Sequence, residues 1–446
     1  MKNTVILYAF VAALGGFLFG FDTAVISGAE QAIQRLWQLD SLLHGLAVAI
    51  ALYGTVIGAM FSGLPADKFG RKNTLIIIAL LYSISALGSA LAPEVYSFMF
   101  FRFIGGLGVG ASSVVAPMYI SEISPAKSRG KLVMLFQLNI VIGIFLAYIS
   151  NYLLEGIGGV NAWRWMMGME SIPALIFTGM TFFITESPRW LVLKKNDENA
   201  ARSILKKISP GKEDITLFQI KESGKVDQSS KKLFTSQYKI PLMLAFVFAF
   251  FNQVSGINAI IYYAPRIFAE TGLASEDSLL STAGVGLFNM LFTILGMVLI
   301  DRAGRKALMY IGSVGMALTL GFVSYAFFTD SFRGVPPFIF AYIAFFAMSH
   351  GAVIWVFFSE IFPNVVRAGG QAFGGLTHWI FAAIIANLFP YSIEKVGAAP
   401  IFAFFSIMLV IQYFFVWKFM PETNGVSLEE IETKLGIANS KKEKAG

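Results

Sequence analysis

Long stretches without charged side chains recur along the sequence and set the pattern from which its elements are predicted. A helix needs roughly 20 apolar residues to cross the hydrocarbon core of a bilayer. Two stretches near that length hold one acid each: residues 4–29 contain Asp22, and residues 165–185 contain Glu170. Ten further stretches hold no charged residue: 45–66, 73–93, 103–121, 132–154, 240–265, 278–300, 307–329, 334–359, 368–393 and 396–417. The pattern predicts twelve membrane-spanning helices, six on each side of a polar central segment.

Two charged motifs occur twice, in the same order, between these stretches. The segment from Asp67 to Lys72 (Asp-Lys-Phe-Gly-Arg-Lys) returns 234 residues later as Asp-Arg-Ala-Gly-Arg-Lys at 301–306. The sequence Ser-Glu-Ile-Ser-Pro at 121–125 returns 238 residues later as Ser-Glu-Ile-Phe-Pro. Nearly equal offsets indicate two equivalent halves, a construction typical of transporters whose halves rock about a central site.

We therefore expect an all-α membrane protein with twelve transmembrane helices in two pseudo-symmetric six-helix bundles. The N-terminal bundle is predicted at residues 1–185 and the C-terminal bundle at 240–420. Residues 186–239 are predicted to form a cytoplasmic linker with short amphipathic helices, and residues 421–446 a cytoplasmic tail.

Composition and charge agree with this arrangement and give it an orientation. Hydrophobic residues make up 56% of the chain and charged residues 14%, with a mean hydropathy of +0.68, whereas charged residues alone are near a quarter of a typical soluble protein. The even-to-odd loops, including the linker, hold twenty-two Lys and Arg, and the opposite loops hold five. By the positive-inside rule, both termini are predicted to be cytoplasmic in a multi-pass protein of the plasma or inner membrane. The net charge of +7 follows from this asymmetry without any nucleic-acid partner.

Three charged residues fall inside predicted spans, where an ionisable side chain is costly unless it is paired or hydrated. Asp22 lies in span 1, Arg102 begins span 4, and Glu170 lies in span 6. An acid that gains and loses an arginine partner changes its affinity for a proton. These three residues are the candidates for proton coupling. The alternative is a static ion pair that only fixes helix packing.

The repeated charged motifs lie at the predicted inner helix ends, where charge networks can clamp adjacent helices when the inside is closed. The candidate gate residues are Asp67, Arg71, Glu122 and Arg129 in the first half, and Asp301, Arg305, Glu360 and Arg367 in the second. Anchoring by the positive-inside rule is the alternative for the basic residues, but it does not explain acids repeated at fixed offsets.

Neutral polar residues in the spans favour a neutral, hydroxyl-rich substrate such as a sugar, because amides offer a donor and an acceptor together. Span 7 carries Asn252, Gln253, Asn258 and Tyr262, and a kink near Gly256 would let Gln253, Asn258 and Tyr262 converge. Further candidates in other spans are Gln137, Asn289, Trp355, His378 and Trp379. The alternatives are amides that join helices and Trp residues that mark the membrane interface.

These motifs together resemble the sugar porter family of the major facilitator superfamily over essentially the whole chain. The resemblance rests on the repeated motifs, on Arg102 with its following glycines, on Pro-Met-Tyr at 117–119, on Arg-Gly-Lys-Leu at 129–132 before Gln137, on Glu-Ser-Pro-Arg-Trp at 186–190, on the span 7 cluster, and on Pro-Glu-Thr at 421–423. It implies a major facilitator fold in which Asp22 and Arg102 couple a proton. It further implies that sugar hydroxyls bind Gln137, Gln253, Asn258 and Asn289, with Trp355 and Trp379 stacking or packing nearby.

Three positions depart from the family pattern. Asn252 stands where a Gln is usual, His378 replaces a usual amide, and span 10 lacks the prolines common before Trp355. The departures fall where the sugar's identity would be read, so the sequence does not choose among xylose, glucose, galactose and arabinose.

The leading hypothesis is a proton-driven importer of a monosaccharide, working by alternating access as a monomer. A facilitative uniporter and a sensor that binds sugar without transporting it are the alternatives, although the tail after Met420 is short for signalling. An efflux pump for apolar drugs is disfavoured by the amides of span 7. No enzyme activity, metal or cofactor is expected, because no nucleophile–base pattern occurs, cysteine is absent and the three histidines lack metal-ligand spacing.

Overall fold

The computed structural model describes residues 3–125, 128–226 and 232–437, and in these ranges the chain forms helices and no strands. Within these ranges, eleven helical segments are long and apolar enough to cross a membrane. The sixth predicted span forms two shorter helices on either side of Glu170. Pro173 accounts for this division, because proline lacks the N–H that would bond to the carbonyl of Met169. The predicted all-helical membrane architecture is confirmed. The predicted linker and tail fall partly outside the described ranges, at 227–231 and 438–446.

The chain divides into two compact units. The first comprises Met1–Leu39 and Ala47–Ser229, and the second comprises Asp40–Leu46 and Ser230–Gly446. The bundle boundaries predicted from the sequence stay a prediction. Before residue 230 the helices are α1 (Asn3–Leu36), α2 (Ser41–Phe61), α3 (Gly63–Phe69), α4 (Arg71–Leu91), α5 (Val95–Ile123), α6 (Arg129–Leu154), α7 (Ala162–Met169), α8 (Ser171–Thr181), α9 (Pro188–Leu193), α10 (Glu198–Ile208) and α11 (Glu213–Val226).

The second half of the chain continues the series with helices of the same kinds. They are α12 (Lys239–Val254), α13 (Ile257–Glu270), α14 (Ser275–Ala303), α15 (Arg305–Phe328), α16 (Val335–Met348), α17 (His350–Glu360), α18 (Arg367–Val396), α19 (Ala398–Phe419) and α20 (Leu428–Lys434). Span 7 consists of α12 and α13, and span 10 consists of α16 and α17.

The same pairs of spans pack together inside each unit. In the first unit α1 packs against α6 and α5, while α4 packs against α5 and α8. In the second unit α12 packs against α18 and α17, while α15 packs against α16 and α19. In both units, therefore, the first span contacts the fifth and fourth, and the third span contacts the fourth and sixth. The equivalence indicated by the repeated motifs extends to the packing of helices.

Two spans of the second unit are broken near their middle, each for a local reason. Gly256 has φ +88°, a left-handed conformation that glycine adopts without steric cost, and it separates α12 from α13. Ser349 (φ −116°, ψ −86°) separates α16 from α17. The break in span 10 is thus present although the prolines usual in the sugar porter family are missing there. Each break interrupts the regular helical hydrogen bonds of its span at a buried position.

Candidate functional site

An ion pair lies inside the first unit, where α1 packs against α5. Nη1 of Arg102 donates to Oδ1 of Asp22, and Nη2 donates to the Asp22 carbonyl at 3.2 Å. The side chains are 0% and 2% exposed, so the pair is removed from bulk water. Gly105, one turn after Arg102, presents no side chain, and a Cβ there would overlap Oγ of Ser85 on α4. The glycine therefore lets α4 and α5 pack closely beside the ion pair.

Glu170, at the junction of α7 and α8, adds a second acid to this ion pair. It is fully buried, and among the described residues neither of its carboxyl oxygens has a hydrogen-bond partner. It interacts electrostatically with both Asp22 and Arg102. With both acids ionised, the three side chains would carry one uncompensated negative charge in a medium of low polarity, which is costly. The acid–base cluster of Asp22, Arg102 and Glu170 is therefore suited to hold one proton.

Tyr82 of α4 also belongs to the surroundings of this cluster, and the sequence reasoning missed it. Its side chain is fully buried, its hydroxyl donates to the Gly15 carbonyl at 3.4 Å, and it interacts electrostatically with both acids. The only signal in the sequence was an aromatic residue with a polar end inside an apolar span, a pattern common to many tyrosines.

The amides predicted to converge in span 7 do so across the break at Gly256. The Asn258 amide donates to Oε1 of Gln253 at 2.6 Å, and Nε2 of Gln253 donates to Oδ1 of Asn252 at 3.0 Å. The same Nε2 lies 3.2 Å from the His378 ring nitrogens. Because each group donates to or accepts from the next, the four side chains form one hydrogen-bonded amide cluster in the second unit.

Two tryptophan rings adjoin His378 of the amide cluster. The ring centroids of Trp355 and His378 are 5.0 Å apart, those of His378 and Trp379 are 4.9 Å apart, and those of Trp355 and Trp379 are 6.4 Å apart. Trp355 is 38% exposed, whereas Trp379 is buried. An exposed indole face beside neutral amides can pack against the apolar face of a sugar ring.

The remaining predicted substrate residues are distributed over several helices. Gln137 is half-buried in α6 of the first unit. In the second unit Asn289 is buried in α14, where it accepts from the Thr293 hydroxyl at 3.5 Å, and Tyr262 is buried in α13. Their positions on apolar spans are those that the sequence indicated, and their part in binding stays a prediction.

At the N-terminal end of α4, Arg71 joins two helix ends of the first unit. Its Nε and Nη2 donate to the two carboxyl oxygens of Glu122, each at 3.0 Å. Its Nη1 lies 3.3 Å from Oδ1 of Asp67, whose other oxygen pairs with Lys194 at 2.8 Å. A two-point arginine–carboxylate pair fixes orientation as well as distance.

The second unit repeats this arrangement with one change. Arg305 donates from Nε and Nη2 to Glu360, at 3.2 and 2.8 Å, and its Nη1 lies 3.3 Å from Asp301. In the first unit Lys194 pairs with Asp67, whereas in the second unit Oδ1 of Asn424 accepts from Arg305 itself at 3.0 Å. Asp301 is 79% exposed, so this ion pair is open to solvent.

Arg129 and Arg367, also predicted as gate residues, take no part in these networks. In the described part of the chain Arg129 is exposed and forms no ion pair. Arg367 donates from Nε to the Phe362 carbonyl at 3.2 Å and stabilises the end of its own segment. Both arginines begin a helix, and their side chains lie away from Glu122 and Glu360, whose oxygens are already occupied by Arg71 and Arg305.

Two further carboxylates complete the networks, and their roles were not predicted. Glu186 accepts from the backbone N–H groups of Arg71 and Lys72 at 2.8 and 3.1 Å. Glu422 does the same for Arg305 and Lys306, at 3.0 and 2.9 Å. A carboxylate at a helix N-terminus satisfies donors that have no partner within the helix. The sequence signal was present, since each acid follows the last span of its half.

Glycine makes both carboxylate contacts possible. Gly70 and Gly304 precede α4 and α15 with φ of +92° and +85°. A Cβ on Gly70 would overlap the Glu186 carboxyl, and a Cβ on Gly304 would lie 2.7 Å from that of Glu422. Glycine is therefore required twice at this point of the motif, for the backbone conformation and for the approach of the acid.

The two carboxylates differ in their affinity for protons. Burial raises the pKa of Glu186 above its usual value, although backbone N–H groups of residues 187, 72 and 71 act in the opposite direction. Burial also acts to raise the pKa of Glu422, but hydrogen bonds from the backbone of residues 424, 306, 305 and 423 outweigh it and leave this pKa below its usual value. The two halves are therefore not equivalent in their response to pH.

The chain has two units of six spans each. One unit contains the acid–base cluster and the other contains the amide cluster. This combination is typical of multi-pass membrane transport proteins. The profile of the family described as "Sugar (and other) transporter" matches residues 8–435, and the chain belongs to that family.

Named relatives and solved structures agree with the family. A glucose transport protein of Synechocystis sp. is 39% identical over 453 residues, which cover 96% of this chain and 97% of the relative. The D-xylose-proton symporter of Escherichia coli K12 is 36% identical over 466 residues, covering 95% and 94%. A partially occluded, inward-open structure of the xylose transporter XylE from E. coli matches with a TM-score of 0.85 and 34% identity, covering 96% of this chain and all of that one.

Proposed function

We propose that this protein imports a monosaccharide, a hexose or a pentose, by proton symport through alternating access. The observation that carries the proposal is the buried cluster of one guanidinium and two carboxyls formed by Arg102, Asp22 and Glu170. Such a cluster has little use in a carrier that moves only a neutral solute, because burying ionisable groups in a membrane is costly. Relatives named as xylose and arabinose symporters support the proton.

Asp22 is the group that takes and releases the proton, Arg102 is its partner, and Glu170 supplies the additional negative charge. When Arg102 moves away from Asp22, the carboxyl holds a proton; when the ion pair forms again, the proton leaves. One proton driven by a membrane potential supplies about 2.3 kcal/mol per 100 mV. That free energy corresponds to roughly fortyfold accumulation of the sugar.

The sugar binds through neutral hydrogen-bonding groups and one aromatic face. The amides of Asn252, Gln253 and Asn258 exchange their present mutual hydrogen bonds for bonds to sugar hydroxyls. Trp355 offers the aromatic face. The full set of proposed substrate residues is Gln137, Asn252, Gln253, Asn258, Tyr262, Asn289, Trp355, His378 and Trp379.

The inner ion pairs act as the cytoplasmic gate. Arg71 with Glu122 and Arg305 with Glu360 hold adjacent helix ends together and separate when the inner side opens. Asp67 and Asp301 assist them through their contacts with the same arginines. Arg129 and Arg367 are proposed to join the gate in another conformation, because each begins the helix that follows a gate acid in sequence.

The protein acts in the plasma or inner membrane as a monomer, with both termini and the linker in the cytoplasm. The excess of Lys and Arg in the loops on that side supports this orientation. It carries out transport without chemical conversion of the sugar and without a cofactor, in keeping with its family.

The test is accumulation of labelled sugar by proteoliposomes with and without an inward proton gradient. We expect accumulation by the wild type, its loss with a protonophore, and its loss in Asp22→Asn, while that variant still exchanges labelled for unlabelled sugar. Asp330→Asn is the control, because Asp330 is an exposed acid outside the clusters. Unchanged accumulation in Asp22→Asn would overturn the coupling role of Asp22, and a wild type unaffected by the protonophore would be a uniporter.

A further inference from the structure

A second set of buried polar residues in the second unit lies outside the amide cluster and outside the ion pairs. Nε2 of Gln412, on α19, is 2.6 Å from Nε2 of His350, the first residue of α17. Nδ1 of His350 is 3.0 Å from Oγ of Ser349, and that hydroxyl donates to the carbonyl of Phe345 on α16. Gln412, His350 and Ser349 are all buried. Together they form a hydrogen-bonded chain, the span 10 chain, from α19 to the break in span 10.

The donors and acceptors of the span 10 chain can be arranged in one consistent direction. An amide nitrogen only donates, so Nε2 of His350 accepts and the ring proton is on Nδ1. That N–H donates to Ser349 Oγ, which leaves the serine hydrogen for the Phe345 carbonyl. A neutral imidazole then satisfies these three contacts, while Oε1 of Gln412 is buried without a hydrogen-bond partner among the described residues.

The hydrogen bond from the Ser349 hydroxyl to the Phe345 carbonyl compensates for a backbone hydrogen bond lost at the helix break. The backbone N–H of Ser349 bonds to the carbonyl of Phe346 instead of that of Phe345. The Phe345 carbonyl would therefore lack its normal helical donor, and the Ser349 hydroxyl replaces it. No proline is needed for this arrangement, because the side chains of Ser349 and His350 determine where α16 ends and α17 begins.

The position of the imidazole is fixed on its other sides as well. Gly312 of α15 leaves space for it, since a Cβ there would overlap Ser349 Oγ and lie 3.1 Å from His350 Nδ1. The Phe346 ring stacks on the imidazole with a centroid distance of 6.1 Å and an angle of 22°. His350 thus joins α15, α16, α17 and α19 at one point.

This point is connected to the proposed substrate residues in two ways. His350 and Asn252 line the same small cavity, and Asn252 is bonded to Gln253 of the amide cluster. His350 also begins α17, the helix that carries Trp355 and ends at the gate residue Glu360. A change in the direction of α17 would move the exposed indole away from the amides.

We propose that His350 is a positioning residue for sugar binding: its hydrogen bonds to Gln412 and Ser349 hold α17 at the angle that places Trp355 beside the amide cluster. His350 does not itself contact the sugar. The inference rests on the proposed function, because it assigns Trp355 to the sugar.

The test combines sugar-uptake kinetics with a double-mutant cycle. The single variants are His350→Leu and Gln412→Met, which keep the approximate volume and remove one partner each. His350→Gln restores a polar group near the position of Nε2. The matched control is Ser313→Ala, which removes a buried hydroxyl on α15 that, within the described residues, has no hydrogen-bond partner.

We expect each single variant to raise the KM for sugar about tenfold, as the loss of one buried hydrogen bond implies, with the maximal rate changed less than about twofold. His350→Gln should recover most of the loss, and Ser313→Ala should behave as the wild type. In thermal unfolding without sugar, the double variant should lose less than the sum of the single losses, because neither partner is then left unsatisfied.

Three results would overturn the inference. An additive cycle would show that His350 and Gln412 are not coupled. An unchanged KM with a lowered maximal rate or a lowered protein yield would show that His350 supports the fold and does not position the sugar site. A wild type that transports no monosaccharide would refute the proposed function first and the inference with it, so this failure is distinct from the other two.

Discussion

At the scale of single residues, function in this protein depends on which charges are paired and which are not. Asp22 has a guanidinium partner, whereas Glu170 nearby has no hydrogen-bond partner among the described residues. In the networks of Arg71 and Arg305 each acid is fully paired instead, because the oxygens of Glu122 and Glu360 are each held at two points by an arginine. The acid–base cluster, in which two carboxyls share one guanidinium, is suited to exchange a proton, and the fully paired acids are suited to hold helices in place.

Replacing Arg71 by Lys tests the two-point pair at the N-terminal end of α4. Lysine offers one charged nitrogen in place of the planar fork, so one bond to Glu122 is lost while the charge remains. Because both side chains are about 9% and 8% exposed, we expect a loss of about 1–3 kcal/mol in stability. Thermal unfolding in detergent measures it. Arg202→Lys, in an exposed pair with Asp214, is the control and should change stability by less than about 0.5 kcal/mol.

Glu186 and Glu422 should respond to pH in opposite directions. The raised pKa of Glu186 means that the folded protein binds more protons than the unfolded chain above the usual value of 4.5, so its contribution to stability falls as pH rises through that range. The lowered pKa of Glu422 means that its contribution is present above 4.5 and is lost as pH falls toward its folded pKa.

We therefore expect Glu186→Gln to flatten the decline in stability above this value, and Glu422→Gln to flatten the decline below it. Unfolding midpoints of both variants and of the wild type, measured from about pH 3 to about pH 8, check this. Identical pH profiles for the two variants would contradict the difference between the halves.

At the scale of elements, the breaks in spans 7 and 10 determine which side chains meet. Gly256 turns the chain so that Gln253 and Asn258 bond across the break. This convergence could be predicted from the spacing of the amides and the glycine between them. The break at Ser349 could not, because no proline marks it and the contact of Gln412 with His350 joins residues 62 apart in sequence.

Gly256→Ala tests the break in span 7, and Gly272→Ala is its matched control. Both glycines have φ near +90°, so an alanine at either position costs about 1 kcal/mol in backbone strain. A Cβ at Gly272 meets no other atom within 4 Å, whereas at Gly256 it would overlap the Phe405 ring. We expect Gly272→Ala to leave sugar binding unchanged and Gly256→Ala to raise the KM. An equal effect of both on the KM would contradict the account of the amide cluster.

The sequence predicted the helical spans more reliably than it predicted which side chains bond to each other. Uncharged stretches locate the spans because the bilayer requires about 20 apolar residues in each. The repeated motifs located Arg71 and Arg305 with their acids. Charge type and helix end alone, however, could not separate Arg71 from Arg129, because the fork geometry and the occupied oxygens of Glu122 are set by tertiary packing.

At the scale of the whole molecule, the repeated packing of spans in the two units contrasts with their different contents. The first unit contains the acid–base cluster and the second contains the amide cluster. Duplication explains the common helix packing, and divergence of the buried polar residues explains the division of tasks. In the proposed function, the first unit binds the proton and the second unit supplies most of the residues that bind the sugar.

The orientation of the molecule can be tested directly, because the chain has no cysteine of its own. Ser203→Cys lies in an exposed position on α10 of the linker, and Ser331→Cys lies in an exposed position between spans 9 and 10. A membrane-impermeant maleimide should label Ser331→Cys in intact cells and label Ser203→Cys only after permeabilisation. The reverse pattern would contradict the assignment of both termini to the cytoplasm.

The most direct test of the central claim is the movement of protons caused by sugar alone. Sugar is added to wild-type proteoliposomes in a weakly buffered medium without an imposed gradient, and the external pH is recorded. Proton symport predicts a rise in external pH as sugar and protons enter together, and no rise with Asp22→Asn although that variant still exchanges sugar. Entry of sugar into wild-type vesicles at constant external pH would contradict it.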